Sequence, residues 1–403
     1  MRYEIINREK IINALLMALA VSAPLFARSP NINKYILILL VIAWFIKGKV
    51  SFKNPVSIPI GLYIIILLVS ASVGVNSSES FRYFVRHTVN IIMVFVVADC
   101  VKDSRQLSGL IKLFFISAGI VCLLGVLQYF SHRVIFLQEP LSWIGINPYW
   151  RWSWRITSTR RHPLVFANNI ALYLPLIAAY TAYSRRYLHV TGLILMTVAL
   201  LLTQSRMPLA AVVFTATAAL LIDFRKFKSL FLIGTVTIAV TALVIFLLNT
   251  QSYYKNRMNL NLGGRLSMWK DAARLVKENP LFGVGLGNVY ENIKSPYSWG
   301  GKLSHAHNTY LQILVASGIF ALISFLWVIY AFFKEMLRRI KHPDVGKFEK
   351  YILVGLLFGF AAEGMCGMTD DLFCRAEIYY PIYFLMGLAM SRALAPKNSQ
   401  DKK

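Results

Sequence analysis

Apolar stretches long enough to cross a lipid bilayer recur along the whole chain, and this recurrence limits the fold more than any other feature. A spanning helix needs about 20 mostly apolar residues, fewer where flanking side chains reach the interface. Runs of this kind lie at about 11–26, 35–46, 57–75, 84–99, 108–130, 164–183, 188–203, 207–223, 229–248, 307–333, 350–369 and 376–394. The second and fourth are short. Of the 403 residues, 57% are hydrophobic and only 15% charged, against about 25% charged in an ordinary soluble domain. Such a chain cannot cover itself with polar surface. That argues against a disordered chain, a soluble nucleic-acid binder and a disulfide scaffold. The prediction is an all-α polytopic membrane protein of about twelve transmembrane helices, with 1–403 a single integral membrane domain.

The net charge of +25 then has to be read by position, because short cytoplasmic loops are normally rich in Lys and Arg. With the N-terminus inside, 23 of the 43 basic residues fall on inner segments. Arg2, Arg8 and Lys10 precede the first apolar run, but no small-x-small cleavage site follows at Phe26-Ala27-Arg28, so a retained first span is expected. Both termini are placed in the cytoplasm. Lys112 lies near the inner end of the fifth span, and nineteen basic residues are left outside, thirteen of them Arg, most in two long outer segments at about 131–163 and 249–306. Long loops tolerate charge and Arg binds lipid headgroups; Arg also suits bidentate recognition of phosphate and carboxylate. Of the four cysteines only Cys374 sits clearly outside, so no external intrachain disulfide is expected.

Three outer segments have the residues for chemistry. Trp143, Trp150, Trp152 and Trp154 crowd the first, with Arg151, Arg155, Arg160 and Arg161. This is an interfacial aromatic belt, a stacking platform for sugar rings with arginines for anionic groups, or both. Gln204-Ser205-Arg206-Met207-Pro208 forms a short outer turn. Ser205 is a cap and Pro208 is tolerable in the first turn of the next helix, whose N-terminus and Arg206 together favour an anion. In the longest outer segment Leu266, Trp269, Ala273 and Val276 recur at helical spacing and predict an amphipathic helix. Arg265 would stand at its entrance after Gly263-Gly264. Pro280 ends it, and Gly283-Val284-Gly285-Leu286-Gly287-Asn288 follows without a preceding strand, which favours a tight turn over a nucleotide loop.

His305 and His307 open the tenth span. On a helix, residues two apart diverge by about 200°, so no shared face and no metal site is expected there. The pair are polar boundary residues, or one is a general base, since neutral imidazole accepts a proton near neutral pH. Acidic candidates are few: Glu363 within the eleventh span and Asp370 and Asp371 at its outer end, either functional or salt-bridged to Arg.

Arg265-Leu-Ser-Met-Trp, Glu278-Asn-Pro-Leu-Phe-Gly-Val-Gly-Leu-Gly-Asn and His305-Ala-His-Asn-Thr-Tyr-Leu-Gln together resemble the C-terminal signature of the O-antigen ligase/O-antigen polymerase superfamily. Gln204-Ser205-Arg206 is similar to its Ser-Arg at the outer end of a span. Arg155 through Pro175 loosely resembles its Arg…Asn…Leu-Pro segment, although Arg160-Arg161-His162-Pro163 departs from the usual small residues. The resemblance implies a GT-C-like helical fold in the bacterial cytoplasmic (inner) membrane, with a helical periplasmic loop between spans nine and ten. It implies metal-independent glycosyl transfer, without a cofactor, from an undecaprenyl-pyrophosphate-linked glycan to lipid A-core oligosaccharide or another glycan acceptor. His307 would be the catalytic base and Arg206 and Arg265 would bind pyrophosphate; Arg155, Arg160, Arg161, His305 and Trp154 are possible substrate-binding residues. A polymerase joining lipid-linked repeats is the nearest alternative. A twelve-span secondary transporter is another, although such proteins tend to show related halves and midplane polar sites, and charges within the spans here lie near their ends, Glu363 excepted.

Overall fold

The structure is a computed structural model that describes residues 2–26, 30–48, 50–131, 155–221, 253–292 and 305–397. Among these residues there are helices and no strands. The helices are α1 (Arg2–Leu25), α2 (Pro30–Ile46), α3 (Ser57–Val73), α4 (Ser77–Cys100), α5 (Ser104–Ser131), α6 (Pro163–Ser184), α7 (Tyr187–Leu202), α8 (Arg206–Leu221), α9 (Tyr253–Glu278), the short α10 (Val289–Asn292), α11 (Thr309–Lys341), α12 (Lys347–Cys366) and α13 (Ala376–Met390). Eleven of the predicted apolar runs fall on α1–α8 and α11–α13; the run at 229–248 lies outside the described residues. By length and apolarity α4, α5, α6 and α11 suffice to cross a membrane, while α3 and α7 are apolar but shorter.

Several helix starts are written locally. Asn76 accepts a hydrogen bond from Glu79 N (3.2 Å), and Asn308 accepts one from Leu311 N (3.0 Å), each satisfying an otherwise orphan first-turn donor. His162 Nδ1 does the same for Leu164 N (3.1 Å) ahead of Pro163, a residue suited to the first helical position. Helix α6 is buried along nearly its whole length and packs on α12. Gly355 and Gly359 of α12, one turn apart, allow that approach: a Cβ on Gly359 would sit 2.4 Å from Leu172 O. Small residues at this spacing let two helix backbones meet without side chains between them.

The bundle has two distinct ends. At one, Asp99 receives Trp44 Nε1 (2.8 Å) and Arg392 (3.2 Å), and Lys102 pairs with Glu9 (2.8 Å). There Arg339, held by Glu335, donates to the carbonyls of Ala389, Met390 and Ser391 at the end of α13, where a cation also complements the helix dipole. The segments near the two termini therefore share an end. The opposite end holds the first turns of α4, α6, α8, α11 and α13 and, with them, the candidate site.

Helix α11 is broken near its start. Gly318 has φ 77° and ψ −176°, a conformation open essentially to glycine alone, and the loop after α9 docks into the break. Val284 N donates to Val315 O (3.0 Å), Gly285 N to Ala316 O (2.9 Å) and Ile319 N to Pro280 O (2.9 Å). Gly283, Gly285 and Gly287 all have positive φ, so the glycine cluster is the tight turn that the sequence predicts.

Helix α9 departs from expectation. It runs through Gly263 and Gly264, which places Arg265 mid-helix instead of at an entrance. Its buried residues are Met268, Ala272 and Leu275, whereas Leu266 and Ala273 are exposed. Both faces of this helix carry apolar residues; docking against Ile313, Val315 and Ala316 of α11 chooses between them.

Substituting Gly318 with Ala should lower the melting temperature of the detergent-solubilised protein, by an amount equivalent to about 1–3 kcal/mol for strain alone. A Cβ there would meet Leu281 O at 2.1 Å. An unchanged melting curve would show that the break does not depend on glycine.

Candidate active site

The helix cap at Asn308 means that His305 and His307 precede α11 and do not lie on it. They sit in an extended segment sewn to the loop after α12. Thr309 N donates to Gly367 O (2.7 Å), Thr309 Oγ1 to Asp370 O (2.9 Å) and Asn308 Nδ2 to Met368 O (3.0 Å). Ala306, between the histidines, is held from two sides: Gln312 Oε1 accepts from its N–H and its carbonyl accepts from Trp269 Nε1, each at 2.9 Å.

This backbone turns both imidazoles to one place. His307 has φ 47°, uncommon for a residue with a Cβ. Its ring centroid lies 4.2 Å from that of His305. The expected divergence of the two rings therefore does not occur, because the 200° argument applies only within a helix. His307 Nδ1 faces Asp370 Oδ1 at 3.7 Å, with 28% of the His307 side chain exposed and 8% of that of Asp370. The other Asp370 oxygen accepts from Asn168 Nδ2 of α6 (3.1 Å).

Neighbouring carboxylates differ in their protonation. Burial alone would push Asp370 up, but His307, His305 and Arg375 outweigh it and hold the carboxyl below its ordinary range. Asp371 is pushed up to about 7, chiefly by burial and also by the charge of Asp370. Burial, followed by the influence of His307 and Arg375, lowers His305 to about 3. His162 is lowered to about 3 by burial, Arg375 and Arg155. At neutral pH His305 and His162 are thus uncharged neighbours of an ionised Asp370.

The predicted arginines have different settings. Arg155 Nε donates to Thr203 O (2.8 Å) and Nη2 to Ser205 Oγ (3.0 Å), which ties the Arg155 segment to the turn before Arg206. Arg206 is exposed at the first residue of α8. Arg265 is half-buried and precedes Trp269 by one helical turn, about 6 Å of rise on the face that meets the histidine segment. Arg160 is buried, its guanidinium donating to Pro24 O (2.6 Å) and Thr159 Oγ1 (2.7 Å). Arg161 is 66% exposed, 3.9 Å from Glu377. Trp154 lies outside the described residues. His162 feels both Arg155 and His307, so it lies between the Arg155 segment and the histidine segment in electrostatic reach of each.

Residues 191–326 match the model of the O-antigen ligase family. The matched segment is about a third of the chain. The match begins in α7 and ends beyond the break of α11, taking in Arg206, Arg265, His305 and His307. It supports the superfamily read from the sequence, whose ligase- and polymerase-type members process lipid-linked glycans in membranes. No curated protein sequence matches the chain. Asp370, Arg375, His162 and Arg155 lie outside the matched residues and join them only through the fold. Sequence reasoning named Asp370 without a partner and missed Arg375 and His162 at the site; the Asn308 cap was the available signal that the histidines leave the helix. Glu363, the other named acid, is buried in α12 and makes no ion pair among the described residues.

The raised Asp371 carries a pH prediction. Its proton is bound more tightly in the folded than in the unfolded state, so the stabilisation is full below about pH 4 and is lost as pH rises through about 7. Asp371→Asn, which retains an oxygen for the hydrogen bond from Phe373 N, should melt higher than wild type at pH 8, with the gap closing towards pH 4. Equal gaps at both pH values would contradict a protonated Asp371.

Proposed function

We propose that this protein is a glycosyltransferase that moves a glycan from an undecaprenyl-pyrophosphate donor to lipid A-core oligosaccharide, with the site facing the periplasm. The observation that carries the chemistry is the His307–Asp370 pair. Nδ1 of His307 is shielded and faces an ionised carboxylate, while the ring keeps an exposed part. An acid on one side of an imidazole orients it and stabilises the imidazolium, leaving the other nitrogen to take a proton from an acceptor hydroxyl. The match to the O-antigen ligase family supports the substrate class, and ligation is preferred over polymerisation on that resemblance.

Arg206 and Arg265 act on the donor. Pyrophosphate is already a good leaving group, so fixed positive charge in a water-poor site suffices to stabilise the charge that builds as the sugar departs. Arg206 adds its guanidinium to the positive end of the α8 dipole. Arg155, in this scheme, braces the turn that presents Arg206. Asp370 positions the base and contacts no substrate.

The deciding experiment supplies purified protein with a lipid-linked glycan and candidate acceptors in the absence of nucleotide and added metal. Transfer to lipid A-core supports ligation; growth of the lipid-linked glycan supports the polymerase; neither would defeat both readings. In that assay His307→Ala should lose about 10²–10⁴ in rate. Arg206→Ala and Arg265→Ala should each lose about 10²–10³, and Arg265→Lys should recover only part because it lacks the planar fork. Asp370→Asn should lower kcat with little change in donor KM. Full activity in any variant would remove that residue from the scheme.

A further inference from the structure

His305, His307 and Asp370 form a donor set in addition to a base and its positioning acid. One donor atom from each lies within 4.8 Å of the other two. His305 is 6% exposed and its Nε2 makes no hydrogen bond; His307 Nδ1 is likewise shielded and without a hydrogen-bond partner. Each imidazole thus has a buried nitrogen with unused valence, and the two rings meet beside a carboxylate. Tetrahedral zinc bonds of 2.0–2.2 Å place ligand atoms roughly 3.3–3.5 Å apart, and the His307 Nδ1–Asp370 Oδ1 separation of 3.7 Å is already close to that. Binding would require the remaining separations, up to 4.8 Å, to close by side-chain rotation.

We infer that this cluster binds one borderline divalent cation, of the zinc or copper class, and that the bound cation shuts the transferase off. Two imidazoles and one carboxylate are the kind of set that holds zinc with a fourth position open; magnesium and calcium prefer all-oxygen sites. Blockade follows from the valence of the ring. A neutral imidazole has one N–H and one lone pair. A cation on Nδ1 uses the lone pair there and fixes the proton on Nε2, which then has nothing with which to accept a proton from an acceptor hydroxyl. The partial exposure of His307 gives the ion a route in. Binding stands on the geometry alone; blockade rests on the glycosyl-transfer reading.

The test uses the untagged full-length protein in detergent. Equilibrium dialysis against Zn2+ should find one tightly bound ion per chain, unaffected by excess Mg2+, and Co2+ in its place should give visible ligand-field absorption that Zn2+ abolishes. His305→Ala and Asp370→Ala should each weaken binding by about 10-fold or more, and His305→Gln, which keeps size and polarity without an imidazole, should behave as the alanine does if the alanine variant misfolds. Wild-type affinity in these variants would overturn the site. Saturating Zn2+ should stop glycan transfer by the wild type and EDTA should restore it; undiminished transfer by the zinc-loaded protein would overturn the blockade. An untreated wild type that transfers nothing counts against the glycosyl-transfer reading, while the dialysis arm decides the site regardless.

Discussion

The break in α11 at Gly318 determines where everything at the active end can stand. An unbroken helix would have used the carbonyls of Val315 and Ala316 internally; here they accept from Val284 and Gly285 of the loop after α9. Two backbone hydrogen bonds, with a third from Ile319 to Pro280, lock a connection between helices into the body of one of them. An unpaired peptide group away from water is costly, so the broken helix and the glycine loop each complete the other. Once they are joined, Met268, Ala272 and Leu275 lie against α11, and Trp269 reaches the carbonyl between the two histidines. The position of Arg265 relative to His307 is in this sense a consequence of glycines that touch neither residue.

The histidine segment shows why periodicity misleads at the end of an element. His305-Ala-His307 runs directly into an apolar helical pattern, and extending that pattern backwards separates the imidazoles. The side chain of Asn308 prevents this by satisfying Leu311 N, and the chain before it bends through the positive φ of His307. Three of the four non-glycine residues with positive φ among the described residues, Ser158, Gln204 and His307, occur on the segments that border the site. Strain of this kind is retained where surrounding bonds over-determine the backbone, here Thr309 to Gly367 and Asp370, and Ser158 to Gln128 and Val121.

The all-helical architecture was legible because burial in lipid imposes long apolar runs that no other constraint produces, and the turn at Gly283–Asn288 was legible because glycine clusters have few alternatives. The exposed face of α9 was not. Leu266 and Met268 are both apolar, and only the shape of α11 decides which is covered. The roles of Asp370 and Arg375 were also out of reach, since 63 residues of chain separate Asp370 from His307 and no local pattern couples them. Arg160 looked like its neighbours Arg155 and Arg161 in the sequence; its difference, full burial against Pro24 O at the end of α1, is a long-range fact.

The charge balance of the site follows from these placements. Arg375 acts on His162, His305 and Asp370, and Arg155 acts on His162, so these arginines oppose imidazolium formation at the two buried histidines. Burial and these cations keep His162 and His305 neutral. His307 differs in having Asp370 on its Nδ1 side and part of its ring exposed. His162 and His305 resist taking a proton, which leaves His307 as the base of the proposed reaction. Asp371 contributes differently. Its raised proton affinity, with a pKa of about 7, weakens the second negative charge beside Asp370 at neutral pH and removes it below that, so in the proposed scheme an incoming pyrophosphate meets less repulsion than two fully ionised carboxylates would impose.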